Sequence, residues 1–205
     1  MQVSELKIEG GLVFTPEVFR DDRGHFLSPY QETAFTQAVG RSLFPVRQAS
    51  YSLSRRGVVR GIHFTATPPG MAKYAYCTRG RAIDYVVDLR IGSPTFGIWD
   101  SVCLDHQEFR SVYLPVGVGH LFVSLEENTA VSYLLSAQYA PERERAVSPL
   151  DPELALPFPP ELDLLLSERD RQAPTLAQAQ AAGLLPSYAE SRRCEVRGSA
   201  DEGTG

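Results

Sequence analysis

The stretch "RSVYLPVGVGHLFVSL", residues 110–125, sets two short runs of aromatic and β-branched residues on either side of a proline- and glycine-marked break. Each run is too short for a helix and reads as a strand, with a turn between them. The same signature continues in both directions. Between Val46 and Ser136 the chain offers "VRQASYSLS", "GVVRGIHF", "AKYAYCT", "RAIDYVVDLR", "GIWDSVCL", "RSVYLP", "HLFVSL" and "TAVSYLLS", separated by turn residues such as Arg79-Gly80 and Glu126-Glu127-Asn128. Strands in series without intervening helices predict a mainly β fold, an antiparallel sandwich or barrel. There is no βαβ alternation, no GxGxxG and no GxxxxGK[ST], so neither a dinucleotide fold nor a phosphate loop has support.

Outside this block the pattern changes. Short strands are expected in "LKIEG" and "GLVFTP", a charged turn in "FRDDRGHF", and a helix over Glu32 to Val39 that stops at Gly40. The proline-rich stretch 149–163 reads as loop. "SERDRQAPTLAQAQAAGLLP" reads as one helix with Pro174 near its first turn and Gly183 at its end. One domain over 1–191 is expected, with 149–191 packed on the barrel and a disordered tail over 192–205.

At 205 residues and 43% hydrophobic, the chain can bury a sizeable core. Its net charge of −5 offers no general attraction to nucleic acid or to an anionic membrane, so an anionic ligand must be met by local arginines such as Arg55, Arg56 and Arg60. No apolar run reaches the roughly 18 residues of a membrane span, and the N-terminus lacks a signal-peptide layout, so a cytoplasmic protein is expected. Cys77, Cys103 and Cys194 are odd in number and lack CxxC spacing, which argues against disulfides and zinc knuckles.

Pro115, Gly117 and His120 form a PxGxxH pattern, which suggests a cupin-like jelly roll. Cupins that bind a metal add an HxH pair and a downstream carboxylate. Here Thr65 stands where the second histidine after His63 belongs, and Lys73 stands where the carboxylate is wanted. Two histidines beside an ammonium make a poor divalent site, so no metal and no cofactor are expected. His63, Lys73, His120 and Tyr133 then need another reading. Singly, each has a bland one: core histidine, solvated strand-end charge, core aromatic with a satisfied hydroxyl. Strand alternation, however, puts Thr129, Val131, Tyr133 and Leu135 on one face, so Tyr133 can point into the barrel with them.

Together, "FRDDRGHF", "GVVRGIHF", "AKYAYCTRGRAIDYVVDLRIGSPTFGIW", "VYLPVGVGHLFVSL", "SYLLSAQYAPERE" and "LSERDRQAPTL" resemble the dTDP-4-dehydrorhamnose 3,5-epimerases, in order from about Leu6 to Leu185. The likeness is greatest to members serving antibiotic deoxysugar pathways, including 5-epimerases acting on dTDP-4-keto sugars. It implies a metal-free jelly roll, a homodimer, and proton transfer next to the ketone of a dTDP-4-keto-6-deoxy sugar. It implies His63 as base, Asp170 as the carboxylate orienting it, Tyr133 as acid and Lys73 as the cation beside the 4-keto oxygen. Arg23 and Arg60 are implied as pyrophosphate contacts, with Gln48, His120, Glu144 and Arg169 lining the substrate site and Tyr139 near the thymine. Two positions depart from the family: Ser28 stands where glutamate is frequent and Ser50 where asparagine is, which shortens polar contacts to the sugar.

The chemistry suits these residue types. Removing a proton beside a ketone leaves charge on the carbonyl oxygen, which a fixed ammonium stabilises. An imidazole, with a reference pKa of about 6.5, serves as base, and a phenol, at about 10, as resting acid on the opposite face. Guanidinium groups bind pyrophosphate in bidentate fashion, although the residues of "DDRG" alone favour Arg23 as a tight-turn residue paired with Asp21 or Asp22. Arg60 and His63 fall on opposite faces of a regular strand. A bulge at Gly61 would bring them together; otherwise Arg60 serves another surface, such as a subunit interface. A 3,4-ketoisomerase of the same sugar, and a non-catalytic sugar-nucleotide-binding module, are the competing readings.

Overall fold

The structure, a computed structural model, describes the backbone of residues 1–200 and the side chains of residues 1–196. Thirteen strands are present among the described residues: β1 (Gln2–Glu5), β2 (Leu12–Thr15), β3 (Val18–Asp21), β4 (Gly24–Leu27), β5 (Gln48–Ser54), β6 (Val59–Thr65), β7 (Lys73–Arg79), β8 (Arg81–Asp88), β9 (Trp99–Asp105), β10 (Ser111–Leu114), β11 (Val118–Ser124), β12 (Thr129–Leu135) and β13 (Glu144–Ala146). Helices are short: α1 (Glu32–Val39), α2 (Glu168–Arg171), α3 (Leu176–Ala181) and α4 (Tyr188–Ala200). One sheet runs β1-β2-β10-β7-β12-β5 and the other β13-β6-β11-β8-β9, with β3 and β4 forming a separate hairpin. Every pairing between the strands is antiparallel, and most successive strands from β5 to β13 change sheet. This is the expected cupin-like jelly roll.

Between the sheets lies an apolar layer that includes Val13, Ala75, Val86, Val102, Leu104, Val112 and Val118. The outer faces are covered as well. Phe35 of α1 packs with Phe14, Tyr74 and Tyr113 on the six-stranded sheet. On the five-stranded sheet, Leu154, Leu156, Leu162 and Leu176 from the C-terminal segment pack against Ile62, Phe64, Tyr85 and Leu121. Double coverage explains why all seven residues of β11 are buried, and why its sequence reads as a continuous apolar run without alternation. The proline-rich stretch is anchored by backbone carbonyls: Tyr85 Oη donates to Pro157 at 2.6 Å and Trp99 Nε1 to Leu154 at 2.9 Å.

The ladder between β6 and β11 shows how Arg60 and His63 come to face the same side. His63 pairs with His120 and Arg60 with Phe122, so three steps along β6 match two along β11. The extra residue falls at Gly61–Ile62 and turns Arg60 to the side that His63 faces. Gly61 has φ +133°, and a Cβ there would lie 2.4 Å from the His120 carbonyl oxygen and 2.5 Å from Leu121 Cα. Only glycine permits that approach.

Four expectations need correction. In "LKIEG" the chain turns, and the first strand lies earlier, at Gln2–Glu5, because Leu6 and Gly11 close a tight loop through their backbones. The charged turn "FRDDRGHF" is the tip and flanks of the β3–β4 hairpin. The single C-terminal helix is two: Ser167 caps α2, Thr175 caps α3 with a full capping box, and Pro174, which has no amide hydrogen to continue a helix, falls between them. Residues 192–200, expected to lack order, continue α4, whose Tyr188 ring receives the buried Arg90 guanidinium at 5.1 Å; 201–205 lie outside the described residues. Gly61→Ala is expected to cost about 2–4 kcal/mol of unfolding free energy, read by denaturant titration, because both the backbone conformation and the ladder contact must yield.

Candidate active site

A cavity of about 420 Å³ opens between the sheets at one end of the barrel. Its walls come from strands of both sheets. From the six-stranded sheet, β5 gives Gln48, Ser50 and Ser52, β7 gives Lys73, and β12 gives Tyr133 and Leu135. From the five-stranded sheet, β6 gives Arg60 and His63, β11 gives His120 and Phe122, and β13 gives Glu144. Loop and helix residues close the rim: Tyr139, Leu165, Ser167, Arg169 and Asp170. The period-two spacing on β5 and β12 follows from strand alternation, while Arg60 and His63 share the cavity only through the bulge.

His63 Nε2 lies 2.6 Å from Asp170 Oδ1. Ser167 holds that carboxylate in place by capping α2, accepting the Asp170 amide at 3.1 Å. Burial opposes ionisation of Asp170, yet the hydrogen bond and charge of His63, with Ser167 and the Gly61 amide, hold its carboxyl below the ordinary value. The Asp170 side chain is sealed, at 3% exposure, whereas His63 keeps 27%. The imidazole therefore faces the cavity with its back to a fixed anion.

Across the cavity, Tyr133 sits opposite Ser50 on β5 and Ala75 on β7. Its ring meets His120 edge-on, centroids 5.8 Å apart. Burial drives the phenol far above its ordinary value and Asp84 adds to the effect, while Ser52 and Arg60 act in the opposite direction. Lys73, partly buried, begins β7 and lines the cavity. Burial lowers the Lys73 ammonium; Glu144 and Asp84 raise it, and Arg169 lowers it.

The polar rim is mutually braced. Gln48 Nε2 donates to Ser50 Oγ at 2.8 Å and its Oε1 accepts the Tyr139 amide at 2.9 Å. Glu144 accepts the Thr65 hydroxyl at 2.9 Å, so the threonine in the second-histidine position serves the rim. Arg60 Nε donates to Ser54 at 3.2 Å, and Arg169 reaches the Arg145 carbonyl at 3.4 Å. Tyr139 is 54% exposed at the mouth. Arg23 and Ser28 do not line the cavity. Arg23 sits on the tip of the β3–β4 hairpin, its side chain 90% exposed and paired with Asp21.

Sequence reasoning missed Ser52, Phe122, Ser167 and above all Asp84. Asp84 is wholly buried, and its Oδ2 lies 2.7 Å from His120 Nε2. The available signal was a carboxylate in the apolar strand "RAIDYVVDLR", since a charge on a core face demands a partner. Among the described residues, no group of three or more His, Cys, Asp or Glu side chains is placed to hold a metal ion. Each cavity histidine is engaged by its own carboxylate. No helix among the described residues is long and apolar enough to cross a membrane.

Comparison with known proteins gives a consistent result. The family model described as dTDP-4-dehydrorhamnose 3,5-epimerase matches residues 5–178. The chain is 49% identical over 190 residues to a dTDP-4-dehydrorhamnose 3,5-epimerase of Mycolicibacterium smegmatis, covering 93% of each chain. It is 48% identical over 183 residues to a dTDP-4-dehydro-6-deoxyglucose 3-epimerase of Streptomyces bikiniensis, covering 89% of this chain and 93% of that one. Among solved structures, a 4-keto-6-deoxy sugar epimerase from the novobiocin gene cluster of Streptomyces spheroides superimposes with a TM-score of 0.90 at 49% identity, over 93% of this chain and 95% of that one. A 3'-monoepimerase of Streptomyces bikiniensis, solved with dTDP-quinovose, gives 0.89 at 45% identity, over 95% and 97%. With its jelly roll, its paired histidine and aspartate, and likeness along nearly its whole length to enzymes that invert sugar carbons, this chain belongs to the dTDP-4-dehydrorhamnose 3,5-epimerase family of isomerases.

Proposed function

We propose that the chain epimerises a dTDP-4-keto-6-deoxyhexose at C5, C3 or both, next to the 4-keto group, in deoxysugar biosynthesis for an antibiotic. The observation that carries this reading is that His63 and Tyr133 enter one cavity from opposing sheets, with Lys73 on the same lining. His63 takes the proton from the ring carbon, and Asp170 fixes the imidazole and supports its positive charge. The electron pair left behind moves to the 4-keto oxygen, where Lys73 meets it. A preorganised donor of this kind is worth about 2.7–4 kcal/mol in the transition state. Tyr133 returns a proton to the opposite face of the ring. Its raised phenol keeps it an acid at rest, and the nearby Arg60 eases the transient phenolate. Both groups then recover their resting states through solvent, and the sugar changes only in configuration.

Arg60 and Arg169 suit the pyrophosphate, Tyr139 at the mouth suits the thymine face, and Gln48, Ser50, His120 and Glu144 suit the hexose hydroxyls. Ser50 is already tied to Gln48, which leaves this wall short of the longer side chains frequent in the family. The relatives described above are epimerases, which favours inversion over 3,4-ketoisomerisation and over a binding module without catalysis.

We further propose a cytoplasmic homodimer. Phe19 and Phe26 on the β3–β4 hairpin and Tyr51 and Leu53 on the edge strand β5 are exposed, at 56%, 69%, 73% and 54%. Apolar side chains on a projecting hairpin and a free sheet edge call for a cover, and a second copy supplies both at once. Arg23, remote from its own cavity, would then reach pyrophosphate only in the cavity of the other copy.

In heavy water with a dTDP-4-keto-6-deoxy sugar, deuterium is expected to enter C5, C3 or both, followed by NMR at each position. His63→Ala should abolish this exchange, and unchanged exchange would remove His63 as the base. Tyr133→Phe should lose inversion by more than it loses exchange, because deprotonation does not need the phenol; equal loss would contradict the division of roles. Asp170→Asn is expected to lower kcat by roughly a hundredfold or more with a smaller change in KM. Equal mixing of Arg23→Ala and His63→Ala chains should restore about a quarter of wild-type activity through mixed dimers. Activity no greater than that of the two parents would place Arg23 outside the partner's site.

A further inference from the structure

We infer that Asp84 is a positioning residue of the epimerisation: sealed beneath the cavity floor, it holds His120 in place and supplies the counter-charge for the Lys73 ammonium. This rests on the epimerase reading and names a residue that reading does not contain.

Asp84 lies on the interior face of β8, opposite Phe122 of β11 and Val102 of β9. It is 0% exposed and adjoins the apolar layer formed by Val86, Val102 and Ala75. A carboxylate in such a place is costly unless its oxygens are satisfied and its charge is balanced. The same strand shows what a bracing carboxylate looks like. Asp88 accepts from the Arg90 guanidinium through both oxygens at 2.8 Å and also from the hydroxyls of Ser93 and Thr95. Asp84 has none of this: Oδ2 meets His120 at 2.7 Å, and Oδ1 is buried without a hydrogen-bond partner among the described residues. A group built only to brace the barrel would be completed as Asp88 is, or replaced by a hydrophobe of its size. The unspent charge points to an electrostatic task in the cavity above.

Lys73 is the cation that needs it. The other charged and titratable groups lining the same cavity are Glu144 from β13, Arg169 and Asp170 from α2, Arg60 and His63 from β6, His120 from β11, Tyr133 from β12 and Tyr139 at the mouth. Burial lowers the Lys73 ammonium, and only Glu144 and Asp84 pull it back up. Tyr133 is pushed the other way, so Lys73 is the first of the two to lose its proton as pH rises. Removing the Asp84 charge lowers Lys73 further, and activity that depends on the ammonium then fails at a lower pH.

The test is the pH profile of deuterium exchange into the sugar by the full chain carrying Asp84→Asn, with dTDP binding as a check on the fold. On the alkaline side exchange should fall on the order of tenfold relative to the unmodified enzyme, because the alkaline limb is displaced to lower pH, while exchange on the acid side of that limb is retained. His120→Asn, which keeps the carboxylate, should slow exchange and leave the alkaline limb in place. An unmoved limb in Asp84→Asn, or an equal displacement in His120→Asn, would overturn the inference. If the asparagine protein does not fold, Asp84→Ser gives the same readout. Exchange by the unmodified enzyme tests the epimerase reading separately, so failure of the one is distinguishable from failure of the other.

Discussion

At Gly61 the backbone of β6 comes so close to β11 that no side chain fits between them, and the site depends on that contact. The glycine admits the bulge, the bulge puts Arg60 and His63 on one side, and it leaves His63 directly across from His120. The Gly61 amide also helps hold the Asp170 carboxyl in its ionised form, so the irregularity that aims the imidazole also steadies its partner. A regular strand would send Arg60 and His63 to opposite faces. One backbone position thus links sequence, ladder register and the chemistry of the cavity.

The barrel separates its two tasks. Arg90 and Asp88 are locked together outside the cavity lining, whereas the cavity carries opposed charges around a space of about 420 Å³. Three carboxylates, Asp84, Glu144 and Asp170, balance the cations there: Lys73, Arg60 and Arg169. They are not equivalent. Asp170 is devoted to His63, Glu144 to Thr65 at the rim, and Asp84 keeps one oxygen uncommitted below the floor. Inside the barrel each charge acts more strongly than at the surface, which is what stabilisation of a transient enolate requires.

Much of this was legible in the residues. The strands from Val46 to Ser136 were readable because β-branched and aromatic runs alternate with turn residues, and Tyr133 could be aimed inward from alternation alone. Asp170 could be attached to His63 only through family likeness, since 107 residues separate them and sequence spacing says nothing about such a contact. Arg60 was ambiguous because a bulge changes facing without leaving a composition signal beyond a glycine. The C-terminal segment was misread as one helix and a disordered tail: helical periodicity looks through Pro174, and the low apolar content of 192–200 hides the contact made at Tyr188. Asp84 escaped notice because its partner His120 lies 36 residues away, and strand spacing gives no sign of such a contact.

The central claim is that an imidazole and a phenol act on opposite faces of one sugar ring, with an ammonium at its carbonyl oxygen. The most direct measurement is a crystal structure of the enzyme bound to a dTDP-4-keto-6-deoxy sugar or a close analogue. The account predicts a hexose between His63 and Tyr133, with the C4 oxygen within about 3 Å of Lys73 Nζ. A hexose with His63 and Tyr133 on the same face, or with its C4 oxygen turned away from Lys73, would contradict it.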